Sequence, residues 1–261
     1  MPSVHVVGSG PSGVHLALTL LERGWDVTML DVGREAAPTV RPSATWRELK
    51  DELDDPVAYF LGRDGSGVVF PTEDAEVYGF PPGRQFIFEP PPGATFRGDG
   101  FEPLFGFAQG GLAEAWTAGC YPFLESEITD FPFPAQALFD AFSIVAQRIG
   151  VNGDVGDDLA QFYPPHEGVQ QPLACDRHSQ LLEKRYAARR DRINRLGVYL
   201  GRTRVATLSQ RLGDRPECSH CGRCLWGCPT GSLYTPSLTL ATCQAHPNFR
   251  YLGGIRVLRF D

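Results

Sequence analysis

The chain opens Val4-His5-Val6-Val7-Gly8-Ser9-Gly10-Pro11-Ser12-Gly13, passes through an apolar stretch, and continues Val27-Thr28-Met29-Leu30-Asp31-Val32-Gly33. Residues 4–7 read as a short buried parallel strand, because apolar side chains run on without alternation. The glycines that follow have the spacing G-x-G-x-x-G. Gly8 permits a sharp bend. Gly10 lets backbone approach a pyrophosphate, and Gly13 lets the next helix lie close on the strand. That helix is expected over residues 14–23, stopped by Gly24. Its free N–H groups and dipole point at the turn, where Ser9 and Pro11 complete a candidate phosphate cradle. The second strand, 26–31, ends on Asp31, eighteen residues after Gly13. A carboxylate there accepts ribose hydroxyls and repels a 2′-phosphate. The glycine spacing alone is weak. A strand before it, a helix after it and an acid at this distance are the context that specifies a dinucleotide site. The competing reading is a tight strand–helix turn with no ligand. NAD and FAD both satisfy the fingerprint.

The bulk numbers bound the rest. The chain has 261 residues, 42% of them hydrophobic, enough for one large domain or two small ones. A net charge of −7 argues against a nucleic-acid partner. The basic stretch from Lys184 to Arg195 reads first as a solvated helix face. Glycine (29) and proline (22) are both plentiful, so much of the chain is expected to be loop. The start carries no basic and apolar leader pattern. No apolar stretch reaches the ~18–20 residues of a membrane span. Four of the seven cysteines fall within residues 218–228, which favours a metal or redox site over disulfides and implies a cytoplasmic protein.

Downstream, residues 33–104 read as irregular, with one short helix over 51–61. Gln109-Gly110-Gly111-Leu112 is a second glycine turn, leading to a helix near 113–118. Leu138, Phe142, Val145 and Ile149 recur at helical spacing and predict a helix over 135–149. A second long helix is expected over 179–196, a strand over 198–208, and a closing strand or hairpin over 251–260 around Gly253-Gly254.

With the first fingerprint, the stretch Gly110-Gly111-Leu112-Ala113-Glu114-Ala115-Trp116 resembles the glucose–methanol–choline family of flavin oxidoreductases. Phe131-Pro132 to Ile149-Gly150-Val151, Cys224-Leu225-Trp226-Gly227-Cys228-Pro229-Thr230-Gly231 and Ile255-Arg256-Val257 continue the resemblance. Asp31-Val32-Gly33, with Ala17, Leu20 and Gly24, is similar to the N-terminal signature of FAD-binding proteins. The resemblance implies an incomplete, doubly wound, Rossmann-like α/β domain for FAD over residues 1–125 and 198–261. Residues 126–197 would be a helical insertion belonging to the substrate domain. It further implies that Gly8, Ser9, Gly10, Pro11 and Gly13 hold the pyrophosphate, and Asp31 and Gly33 the ribose. Gly110, Gly111 and Trp116 would face the flavin, and Val257 the adenine. The implied reaction is oxidation of a CH–OH group of a sugar or alcohol, with hydride passing to flavin N5 and electrons to an external acceptor. Two departures stand out. Ala113 and Glu114 occupy positions where the family commonly has Ser and Asn. The family's C-terminal half, with its catalytic residues, has no counterpart here. No catalytic residue is therefore assigned, and the expectation is either that the chain is a fragment or that a second polypeptide supplies that half.

Cys218-x2-Cys221-x2-Cys224-x3-Cys228-Pro229 has the spacing of a bacterial ferredoxin cluster loop. These four thiols are the candidate metal ligands, with Cys120, Cys175 and Cys243 as other sources of a fourth. A [4Fe–4S] cluster there would relay electrons and favour a dehydrogenase over an oxidase. Zinc and a metal-free loop remain open beside it. Two further alternatives are a non-catalytic iron–sulfur electron-transfer or assembly subunit with a vestigial nucleotide site, and an NAD-dependent dehydrogenase.

Overall fold

A computed structural model describes residues 2–35, 44–65, 67, 81–94, 99–100, 104–163 and 167–260. In chain order its elements are β1 (Ser3–Val7), α1 (Pro11–Glu22), β2 (Asp26–Leu30), α2 (Trp46–Glu52), α3 (Pro56–Leu61), α4 (Ala135–Ile149), α5 (Arg177–Ala187), α6 (Arg190–Asn194), α7 (Pro236–Gln244) and β3 (Phe249–Leu252). The three strands form one parallel sheet in the order β1-β2-β3, with Val6 opposite Met29 and Met29 opposite Tyr251. This is an α/β fold. The chain divides into two compact units, one of residues 1–116, 221–231 and 235–261, the other of residues 117–220 and 232–234.

The first unit is built on the sheet. Val14, Ala17 and Leu21 share one face of α1 and are buried with Val6, Val27, Met29, Leu240 and Cys243. Burying each large apolar side chain contributes roughly 1.5–3 kcal/mol. α1 and α7 pack on each other as well as on the sheet. The sequence reading missed α7. Its inward residues are Pro236, Thr239, Leu240 and Cys243, and the polar and small members disguise the apolar stripe. The single helix expected over 51–61 is two helices. Thr45 and Glu48 close a capping box on α2, and Asp55 caps α3, where Pro56 starts a new helix instead of extending the old one. The second glycine turn leads into a short 3-10 turn, Gly111–Glu114, in place of a helix over 113–118. β3 begins earlier than expected and ends at Leu252. The chain then runs along the tip of β2, where the Ile255 N–H donates to the Asp31 carbonyl at 2.9 Å.

In the second unit α4 has the expected limits, with Ile149 buried and Gly150 closing it in the left-handed conformation. The helix expected over 179–196 breaks into α5 and α6. Side chains on both sides of the break converge on buried Asp158: Arg190 through two hydrogen bonds, Tyr186 through its hydroxyl and Asn194 at 3.0 Å. Together they hold the Asp158 carboxyl well below the usual carboxylate range. Residues 198–208 form no strand. Val205 makes isolated bridges to Gly119 and Asn152, and Thr207 to Leu233. Buried Asn152 donates from its amide to the carbonyls of Val205 and Thr207, filling acceptors that a neighbouring strand would otherwise take. These ties lie within the second unit, which holds residues 117–125 and 198–220 beside the helical segment. No helix among the described residues is long and apolar enough to cross a membrane.

Candidate functional site

The two glycine turns of the sequence meet in the first unit. Gly8 takes φ +88°, and its N–H donates to Leu30 at 2.8 Å, bending the chain off β1 beside β2. Gly10 is the N-cap of α1 and brings no capping side chain, and Pro11 follows as the first helical residue. A Cβ on Gly10 would meet nothing within 4 Å, so this side of the turn is open. A Cβ on Gly13 would strike the Gly8 carbonyl, so strand and helix approach here as closely as glycine allows. A helix start that is open and uncapped by the protein is suited to an anion. Gly111 lies across from it, at φ +65°, where a Cβ would sit 3.4 Å from the Gly10 Cα.

Ser9 joins the parts. It is 1% exposed. Its hydroxyl donates to Asp31 Oδ2 and accepts the Gly110 N–H at 2.8 Å. The Tyr251 hydroxyl donates to the same Asp31 oxygen at 3.0 Å. Burial, with the Asp31 carboxylate beside it, pushes the Tyr251 phenol up to about 12. Gly33, at φ +63°, passes directly beneath that hydroxyl, which would collide with any Cβ there. Gly8, Ser9, Gly10, Pro11, Gly13, Asp31, Gly33, Gly110 and Gly111 are thereby brought together. Trp116 is half-buried and closes this part of the unit. Val257 is half-buried two residues beyond Ile255. The contribution of Tyr251 was not visible in the sequence. Nor was that of Glu114, whose carboxylate fills the space beneath Gly110 and accepts the Ser237 N–H of α7 at 3.0 Å. Burial raises the Glu114 carboxyl, against the pull of Ser237 and Arg84. Burial lowers the Arg84 guanidinium, which packs against Gly227 where a Cβ would stand.

The cysteine loop is seated by its neighbours more than by its thiols. Trp226 lies edge-on to Trp46 with ring centroids 4.2 Å apart, and Trp46 stacks on Phe60 at 4.2 Å. Fully buried Arg223 donates to the Ala44 carbonyl at 3.1 Å, and the Cys221 carbonyl accepts the Trp46 N–H at 3.0 Å. Cys218 belongs to the second unit, whereas Cys221, Cys224 and Cys228 belong to the first. The Cys218 sulfur accepts the His220 N–H at 3.4 Å, and Cys228 meets the Thr230 hydroxyl at 3.5 Å. Among the described residues no three His, Cys, Asp or Glu side chains are grouped as a metal needs.

The second unit holds two adjoining cavities of about 310 and 290 Å3, astride the Arg202–Glu183 ion pair. Cys175, one of the other sources of a fourth thiol, lines the first cavity; none of the remaining residues singled out as cofactor or metal ligands lines either.

No family model matches the chain. It is 26% identical over 284 residues to paromamine 6′-oxidase of Streptomyces fradiae, an alignment covering 99% of this chain and 41% of that protein. It is 26% identical over 268 residues to 6‴-hydroxyparomomycin C oxidase of Streptomyces lividus, covering 99% of this chain and 42% of that protein. The chain spans about two fifths of the length of these curated relatives, both of which are oxidases by name.

Proposed function

We propose that this chain is the cofactor-binding part of a FAD-dependent oxidoreductase that oxidises a CH–OH group of a sugar or alcohol. The observation that carries the reading is the meeting of the two glycine turns at Ser9, with Gly10 and Gly111 in close approach and Asp31 tied to the same hydroxyl. The uncapped start of α1 would hold the pyrophosphate through Gly10 to Gly13, and Asp31 the ribose. Gly110 and Gly111 would bring backbone against the flavin side. FAD, when bound, supplies the hydride acceptor at N5. This chain's share is to hold and orient it. The oxidase names of the two relatives support the reaction class and a sugar as substrate. The reading includes a base outside the assigned residues that takes the hydroxyl proton, an external electron acceptor, a second polypeptide as partner, and a cytoplasmic location.

Titration of the purified protein with FAD, FMN and NAD tests the reading. Saturable FAD binding, with two resolved flavin absorption bands retained after gel filtration, is the expected result. Preference for NAD, or no binding of any of the three, overturns it. The cysteine spacing supports a second reading, an iron–sulfur electron-transfer or assembly subunit. Stoichiometric iron and acid-labile sulfide in anaerobically purified protein, without flavin, would establish it.

A further inference from the structure

A carboxylate that reads a ribose must present a lone pair in a fixed direction. Asp31 sits at the tip of β2 with its backbone pinned on both sides, its N–H on Leu252 at 3.0 Å and its carbonyl on Ile255 at 2.9 Å. Its side chain is 8% exposed. Two hydroxyls, one from each end of the unit's sequence, donate to the same oxygen, Oδ2. An oxygen has two lone-pair directions in the carboxylate plane, so Oδ2 is fully committed to the protein. Ser9 is held at both of its roles, since its one proton goes to Asp31 and its oxygen takes the Gly110 N–H. The Tyr251 hydroxyl is fixed from below by Gly33, the one residue type that leaves room for it.

We propose that Ser9 and Tyr251 are positioning residues that aim Asp31, reserving Oδ1 for the ribose hydroxyls of an adenosine nucleotide and setting the rejection of a 2′-phosphate. This rests on the reading of the glycine turns as a nucleotide site. With Oδ2 anchored twice, the carboxylate cannot rotate away from an incoming 2′-phosphate, and the charge repulsion stays where it discriminates. Ser9 adds a second consequence. Through its hydroxyl the direction of Asp31 and the position of the Gly110 turn are set together, so the adenosine end and the far glycine turn are registered by one side chain.

The test compares wild type, Tyr251→Phe and Ser9→Ala by calorimetric titration with ADP-ribose and with its 2′-phosphorylated form. Tyr251→Phe removes one oxygen and keeps the ring, so it leaves the sheet intact and serves if Ser9→Ala does not fold. Each substitution is expected to weaken ADP-ribose binding about tenfold, the scale of one hydrogen bond to a charged group. Each is also expected to narrow the preference over the 2′-phosphorylated form severalfold. Amide hydrogen exchange at Gly110 in the ligand-free protein is expected to speed up in Ser9→Ala and to stay unchanged in Tyr251→Phe. Unchanged ADP-ribose affinity in both variants overturns the inference, and so does an equal loss for both ligands, which is what a purely structural role gives. Failure of wild type to bind either ligand instead removes the nucleotide reading itself, and the inference with it.

Discussion

At the scale of single residues, Gly13 shows how local sequence rules and packing coincide. Its missing side chain is the space taken by the Gly8 carbonyl. Gly13→Ala is expected to force α1 off β1 and lower stability by about 1–3 kcal/mol, as overpacking does, with loss of nucleotide binding. A denaturant melt with an unshifted midpoint would contradict this. Gly8, Gly10, Gly13 and Asp31 were legible because their demands are local: a left-handed φ, an open turn, a close helix start, an acid at a strand tip. Tyr251 was not, because it reaches Asp31 from 220 positions along the chain. Its apolar neighbours advertise a strand but not the hydroxyl contact. Glu114 was legible only as a departure from a family pattern. Its role, bridging the Gly110 turn and the start of α7, needs the fold to be seen.

At the scale of elements, Ala135 to Ile149 was read to the residue because its apolar period is clean and Gly150 ends it. The single helix expected over 179–196 was not, because what divides it is a buried carboxylate from elsewhere in the unit. That carboxylate gives a pH prediction. The folded value of Asp158 lies below its unfolded value, near 3.9 for a free aspartate. Its stabilisation is therefore present above that value and is lost as the pH falls below it. Asp158→Asn should lower the unfolding midpoint at pH 7 and flatten its acid dependence below about pH 4, as read from denaturant titrations across pH. A variant with unaltered acid dependence would rule this out. The cysteine loop was legible in its spacing but not in its seating, which depends on Trp46, Phe60 and Arg223. Its cysteines form no disulfide, and Cys224 is the exposed one of the seven. Iodoacetamide labelling read by mass spectrometry is expected to modify Cys224 first. Cys243, which is buried, and Cys120, whose thiol burial pushes up to about 11, should react only on unfolding. Protection of Cys221, Cys224 and Cys228 together would point instead to a bound metal.

At the scale of the whole molecule, the sheet has three strands among the described residues, and β1 is an edge strand among them. His5 is exposed and Val7 is 45% exposed at its end. A parallel edge with no strand paired to it among the described residues offers backbone groups to another chain. Light scattering on gel-filtered protein is expected to show concentration-dependent self-association that Val7→Lys reduces. A strictly monomeric wild type would contradict that expectation. The α/β class was legible from the first thirty-three residues. The division into units was not, because residues 117–125 and 198–220 are recruited by single bridges and one asparagine amide rather than by any repeating pattern. Finally, Trp46 and Trp226 are two of the four tryptophans, and their indoles meet at 80°. Chromophores this close exchange excitation, so the pair should imprint a circular-dichroism couplet and quenched emission on the native spectrum. The protein thus carries an optical gauge of its own cysteine loop, readable without a label. The couplet should vanish in Trp226→Phe and fade in real time whenever the loop lifts from α2 and α3.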